Sequence, residues 1–504
     1  MGAIRKQSII SSVVIYFGFV VGLLNTYFFI QEGGRFNEDQ YGLTSIFMAI
    51  ATMMMAFATL AMPSYIFKFY PYYNDNLPPR KNDMLTWALL IGTIGFILVV
   101  VAGLVLKNLI VRKFGEHSPL LLSYYYWIFP LGFGLTIFSI LEAYAWNLGK
   151  SVLTNFLKEV QWRLFTTILI VLVITNIIKD FDLFIKLYAF TYPGIALILF
   201  LYLVFTKKIH FTFKVSKVSR RYFKKILALC SYVYTGVLIF TISKVFDSIV
   251  IASVLDDGLK KAGIFGLAQI MTSVIQAPQR GIIAASIPYL SKAWKDKNMA
   301  LLQKVYQRSS INLLIFSFGI FILIALNYTE AIRTFNLKDA YLLGFSAFIF
   351  LGLTTVIELG TGVNAQIIGT STYWRFELFS GIILLVVMLP LTYILAKQYD
   401  IIGPAIANLI SITIYNIVRI IFLWKKFKLF PFTVQSVYTL LLAAVCFAIC
   451  YFLFLNMHGF GGLVLRSLTF IILYVAGVIY FRLSPDTEPV LQTISKRLGL
   501  RNND

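Results

Sequence analysis

The chain has 504 residues, 59% hydrophobic and only 13% charged, with a mean hydropathy of +0.81 and a net charge of +22. Soluble globular chains run near a quarter charged, so an assembly of soluble domains is excluded. Such basicity would raise nucleic-acid binding as a class, but here the positive charge lies in short loops between apolar runs, so no nucleic acid is expected as a partner.

In chain order the sequence predicts fourteen spans, at 9–30, 44–62, 84–106, 119–146, 163–179, 182–206, 226–254, 263–289, 309–327, 340–368, 375–396, 401–424, 434–456 and 463–481. A bilayer crossing needs about 20 predominantly apolar residues. Backbone groups in lipid must be satisfied within the segment, so these runs are helices. The first follows Arg5-Lys6; it is too long for a signal-peptide core and is read as a retained span. Pro130, Pro193, Pro278, Pro390 and Pro404 fall inside spans and are read as kinks. Cys230, Cys446 and Cys450 all lie in apolar runs, which argues for packing and against a disulfide framework. His117, His210 and His458 are scattered and form no metal or catalytic set.

Orientation follows from the loops. With a cytoplasmic N-terminus, and with cations at the span ends (Arg163, Lys179, Arg375, Arg466) counted to the adjoining loops, the cytoplasmic segments hold 29 Lys and Arg and the opposite ones 11. Both termini are therefore expected in the cytoplasm, together with the basic segment 207–225, which carries eight of these cations. That segment is read as a linker between an N-terminal six-helix bundle, 1–206, and a second one, 226–424. Helices 13 and 14, within 432–482, lie outside the two bundles and are expected to be dispensable to them; a cytoplasmic tail follows at 483–504.

Ionisable groups within a bilayer are costly, so each one is a candidate site. Asn25 in span one offers a hydrogen bond to a substrate or to a neighbouring helix. The aromatic run from Tyr65 to Tyr73 reads as an interfacial belt, or as a platform for a sugar face. Glu142 in span four and Glu358 in span ten are carboxylates for coupling to an ion or neutralising a cation. In span seven Lys244 and Asp247 are three residues apart, which suits a charge pair. The alternative makes Lys244 a phosphate contact and Asp247 a proton or cation site. Span eight carries Gln269, Ser273, Gln276 and Arg280 at helical spacing beside Pro278, so one bent helix is expected to present all four on one face. An arginine there suits a diphosphate, because its planar fork binds two oxygens at once. The plain alternative is a structural arginine reaching for water. No nucleotide-binding loop, cofactor motif or soluble catalytic domain is present, so an enzyme is not expected.

The two halves repeat weakly. Leu131-Gly132 and the Ala145, Gly149 and Ser151 positions recur as Leu351-Gly352, Ala365, Gly369 and Ser371, at an offset of 220; Tyr41-Gly42-Leu43 recurs as Ala262-Gly263-Ile264 at 221. Six intervening crossings keep the halves in the same orientation, so the repeat is parallel. With these residues, the basic mid-chain segment and two extra spans, the chain resembles the multidrug/oligosaccharidyl-lipid/polysaccharide exporter superfamily. Within it, it resembles the polysaccharide-biosynthesis flippases of the O-antigen (Wzx) type. The local phrases are Tyr41-Gly42-Leu43-Thr44-Ser45 and Ala262-Gly263-Ile264-Phe265-Gly266-Leu267-Ala268, over roughly residues 5–480.

The resemblance implies an all-α integral membrane protein of about fourteen helices, two parallel bundles plus two. It further implies alternating access, a polyprenyl-diphosphate-linked oligosaccharide substrate and a bacterial inner-membrane location. Membrane lipids, a coupling proton or sodium ion and polysaccharide-assembly proteins are the implied partners. Lipid II flippases of the superfamily keep arginines in their first two helices. Here span one has Asn25-Thr26 and span two is uncharged from Thr44 to Met62, which argues for a different glycan. The alternatives are a drug or cation antiporter of the same superfamily, or a membrane-embedded polymerase or ligase.

Overall fold

The computed structural model describes residues 2–487, and its regular elements are all helical. From residue 488 onward the expected tail lies outside the described residues. The chain forms two compact units, Met1–Gly263 and Ile264–Asp504. Unit 1 holds α1 (Gly2–Ile30), α2 (Glu38–Ala58), α3 (Met62–Asn76), α4 (Met84–Val105), α5 (Lys107–Phe114), α6 (Pro119–Ser123) and α7 (Ile128–Asn147). It continues with α8 (Ser151–Asn155), α9 (Trp162–Ile174), α10 (Phe181–Tyr188), α11 (Thr191–Phe205) and α12 (Lys217–Val254). The chain passes into unit 2 along α13 (Gly258–Gln276), followed by α14 (Gln279–Lys295), α15 (Met299–Thr334), α16 (Gly344–Gly360) and α17 (Asn364–Thr370). The last four are α18 (Arg375–Tyr399), α19 (Ile402–Phe427), α20 (Val434–Leu453) and α21 (Gly459–Tyr480).

Among the described residues twelve helices are long and apolar enough to cross a membrane. The two expected spans absent from that set, 163–179 and 263–289, are helical but interrupted. The fifth span starts well before residue 163: α8 leads through a π-helical turn, Phe156–Gln161, into α9. Lys158, Glu159 and Arg163 hid its beginning, because charges at the edge of an apolar run read as loop. The eighth is two helices, not one bent helix. α13 ends at Gln276 and α14 starts at Gln279, with Pro278 as its cap. Proline has no N–H to give the preceding turn, but its fixed φ suits a helix start.

The second span is divided in the same way. Asn37 and Gln40 form a capping box that starts α2. The helix stops at Ala58, and Leu60 and Ala61 take left-handed φ of 47° and 60° before α3 begins with Pro63 in its first turn. At the repeat offset of 221, α2 and α3 fall within a few residues of α13 and α14. Spans two and eight are thus both broken helices with a proline beside the break. Their repeated glycines explain their own type. A Cβ on Gly42 would stand 1.8 Å from the Leu259 carbonyl oxygen, and one on Gly263 would stand 3.1 Å from the Gly42 nitrogen. The Gly149–Gly369 match is different in backbone: Gly149 has φ +71°, whereas the left-handed glycine of the later stretch is Gly362, at φ +65°.

The basic segment is only partly a linker. Its second half is the first two turns of α12, which runs for 38 residues. Ser216 caps that helix, and the Asp83 carboxylate accepts from the Ser216 backbone N–H at 2.9 Å and from the Ser219 hydroxyl at 2.7 Å. Farther along, the Tyr234 hydroxyl donates to the Phe57 carbonyl at 3.1 Å, tying α12 to the end of α2 inside unit 1. Helices α20 and α21 share a core with α15: Leu314, Phe318 and Ile322 pack with Ala443, Cys446, Cys450, Phe470 and Tyr474. Cys446 and Cys450 are free thiols in that core. Removing these helices would strip a buried face, so the expectation that they are dispensable gives way to a shared core.

Candidate functional site

Three sets of polar groups lie among the helices. The first is built where the π-helical turn of unit 1 meets α7 and α1. A π turn holds an extra residue, so the side chains after it are rotated relative to a regular helix. Lys158 Nζ lies 3.2 Å from Glu142 Oε2 on α7, and Arg163 Nη1 lies 2.9 Å from Glu159 Oε2 one turn back. Glu142 is nearly buried at 12% exposure, whereas Lys158 is 44% exposed. Gly18 and Gly22 let α1 lie directly on this turn: a Cβ on Gly18 would strike the Glu159 carbonyl oxygen at 2.2 Å. Asn25, buried on the same helix, donates to the Arg163 carbonyl at 2.9 Å and accepts from the Thr167 hydroxyl at 2.7 Å. Its amide is thus engaged on both sides in holding α1 to α9.

The second set lies in unit 2 and is deeper. Arg419 on α19 is buried, pairs with Glu377 on α18 and stacks over the Tyr415 ring at 3.9 Å. Beside it, Asn416 accepts from the Thr361 hydroxyl at 3.1 Å and from the Asn364 amide at 3.0 Å. Glu377 Oε2, Arg419 Nε, Tyr306 Oη and Ser411 Oγ are buried with no hydrogen-bond partner among the described residues. Glu358 is half-buried in the last turn of α16. Its backbone carbonyl accepts from the Thr361 hydroxyl at 2.7 Å.

The third set flanks the break in span eight, also in unit 2. Gln269 and Ser273 are half-buried and Gln276 is exposed on α13. The Ser273 hydroxyl turns back to the Ile270 carbonyl at 2.6 Å. Arg280 is exposed in the first turn of α14, past the interruption. In unit 1, on the continuous α12, Lys244 is exposed and Asp247 is buried.

Sequence reasoning singled out Glu142 but missed its partner Lys158 and the Glu159–Arg163 pair. The available signal was the four-residue spacing of Glu159 and Arg163. Arg419 was visible as a charge within a span; Glu377 stood at a predicted span boundary, and nothing local links them.

Residues 8–294 match the profile of the family described as polysaccharide biosynthesis protein. No protein of curated function matches the chain by sequence. Among solved structures, the chain is similar to the lipid II flippase MurJ in an inward closed conformation. That match has a TM-score of 0.71 and 17% identity, covering 94% of this chain and 99% of the other. It is similar also to an inward-facing multidrug resistance MATE family transporter of the MOP superfamily, with a TM-score of 0.64, 14% identity and coverage of 82% and 94%. A third is the MATE multidrug transporter DinF-BH, with a TM-score of 0.57, 17% identity and coverage of 84% and 95%. At such identities the likeness is one of fold.

Proposed function

Because this chain belongs to the polysaccharide biosynthesis protein family, we propose that it is a flippase. Its cargo is a polyprenyl-diphosphate-linked oligosaccharide, moved from the cytoplasmic to the outer leaflet of a bacterial inner membrane by alternating access. Both termini are cytoplasmic in this reading, which the 29-to-11 distribution of Lys and Arg supports.

The observation that carries the proposal is the interruption at Ala277–Pro278, with exposed Gln276 before it and exposed Arg280 just after it. Broken helices line polar paths in transporters, because freed backbone groups and helix ends need water or a ligand. A diphosphate carries about two negative charges and cannot cross hydrocarbon bare. A guanidinium stays charged and can bond two of its oxygens, and the start of α14 adds the positive end of a helix dipole. Gln269 and Gln276 offer further hydrogen bonds; Lys244, on α12 of unit 1, is a separate candidate cation. Asp247, Glu142 and Glu358 are the carboxylates left for coupling to a proton or sodium ion. An inside-negative potential adds about 2.3 kcal/mol per charge per 100 mV to outward movement of the anion.

The test is reconstitution in vesicles, with two cargoes compared at equal protein. Movement of a polyprenyl-diphosphate oligosaccharide, without transport of the cationic dye ethidium, is the expected result. Ethidium transport without glycan movement would replace the flippase with a drug antiporter.

A further inference from the structure

In unit 2, two neighbouring spaces of different character lie along α15 and α21. One, of about 980 Å³, is lined by Gln303, Lys304, Gln307 and Arg308 near the start of α15, by Gln435 on α20 and by Arg482 just after α21. The other, of about 670 Å³, is an apolar groove between Ile315, Phe316 and Ile320 of α15 and Phe470, Ile471 and Val475 of α21. Ile479, Ser484 and Thr487 line both, so the two meet at one strip.

The sequence of α15 builds this order. Lys304, Arg308, Asn312, Phe316 and Ile320 follow one another at steps of four, so one face passes from charged to polar to apolar. From Asn312 to Leu323 that face runs about 16 Å, close to half of a hydrocarbon core of about 30 Å. The groove opens away from the protein: Phe316, Ile471 and Val475 are each more than two-fifths exposed.

At the junction, Asp486 accepts from Arg308 through both carboxylate oxygens and from the Asn312 amide at 2.5 Å. The Ser484 hydroxyl in turn donates to Asn312. Arg308 therefore already holds an oxyanion of the chain's own. Lys304 beside it is exposed, and Arg482 adds a further cation.

We propose that this paired chamber and groove is a binding site for an anionic glycerophospholipid of the surrounding leaflet, with its phosphate among Lys304, Arg308 and Arg482 and an acyl chain between α15 and α21. The charge order fits an amphiphile with an acidic head, and the exposed groove faces where lipid chains are found. Asp486 acts as a built-in competitor for the head, so binding exchanges one oxyanion on Arg308 for another. This assignment stands apart from the transport site and does not depend on the cargo.

The test uses the full chain, purified and incubated with equal phosphatidylglycerol and phosphatidylcholine, with bound lipids counted by native mass spectrometry. The wild-type protein should retain phosphatidylglycerol preferentially. Lys304→Gln, an exposed change that leaves the Arg308–Asp486 pair intact, should lower that preference about fivefold, and adding Arg308→Gln should lower it further. Asp486→Asn should raise it, because Arg308 loses its internal partner; a merely structural pair would lower stability and leave the lipid ratio unmoved. Val475→Trp, which fills the groove, should reduce retention. A lipid ratio unchanged by Lys304→Gln and Asp486→Asn would overturn the proposal. So would displacement of phosphatidylglycerol by equimolar polyprenyl phosphate, which would give the site to an isoprenoid chain.

Discussion

The fifth span of each half carries paired charge, and the two do it by different means. In unit 1 the π-helical turn gathers four charges, two of each sign, and pairs them locally: Glu159 with Arg163 one turn on, Lys158 with Glu142 on the adjacent helix. Lys158 keeps access to the surroundings. In unit 2 a single pair joins two helices, Glu377 on α18 and Arg419 on α19, with Arg419 only 5% exposed and orphaned polar atoms around it. Repeat-related spans thus differ in their polar chemistry. A locally paired, partly wet cluster tolerates the loss of one member; a buried long-range pair does not.

The sharpest way to break this comparison is Arg419→Leu. It leaves Glu377 in the core without its cation and should cost about 3 kcal/mol, the low end for a broken buried pair because Glu377 is a quarter exposed. Adding Glu377→Leu should recover much of the loss, as read from unfolding of the purified variants in detergent. A double variant no more stable than the single would show that the two residues are not coupled.

Asn25→Ala comes next. It removes two hydrogen bonds between α1 and α9 and should cost about 1–2 kcal/mol, while transport per folded molecule stays level. A transport loss at full stability would make Asn25 a substrate contact instead. The smallest effect is expected for Glu142→Gln, since the abandoned Lys158 is exposed enough to be solvated: under about 1 kcal/mol in the same unfolding measurement. If Glu142→Gln cost as much as Arg419→Leu, the distinction between the two clusters would fail.

Legibility in the sequence tracks the range of each interaction. The apolar runs placed α4 and α18 through α21 closely, because hydropathy is a local quantity; span ten, expected at 340–368, instead ends as α16 at Gly360, with α17 a separate helix. The repeat was readable at Gly42 and Gly263, where backbones approach too closely for a side chain. It misled at Gly369, where a matching residue type carries a different backbone, the turn having moved to Gly362. The start of span five was lost because Lys158, Glu159 and Arg163 lower local hydropathy, while the pairing that neutralises them is a matter of geometry. Arg280 was visible, but the stripe from Gln269 to Arg280 assumed one unbroken helix, and Pro278 divides it. The Glu377–Arg419 pair spans 42 residues, and no periodicity records it.

Arg280, just past the break in span eight, carries the central claim: it is the residue that meets the diphosphate. Flipping of a polyprenyl-diphosphate oligosaccharide should be measured in vesicles holding equal amounts of wild type, Arg280→Lys and Arg280→Ala. A charged hydrogen bond is worth about 1.5–3 kcal/mol, so Arg280→Ala should lose at least about tenfold in rate, with Arg280→Lys between it and wild type. Wild-type flipping by Arg280→Ala would contradict that assignment and leave the diphosphate to another cation, with Lys244 the next to test.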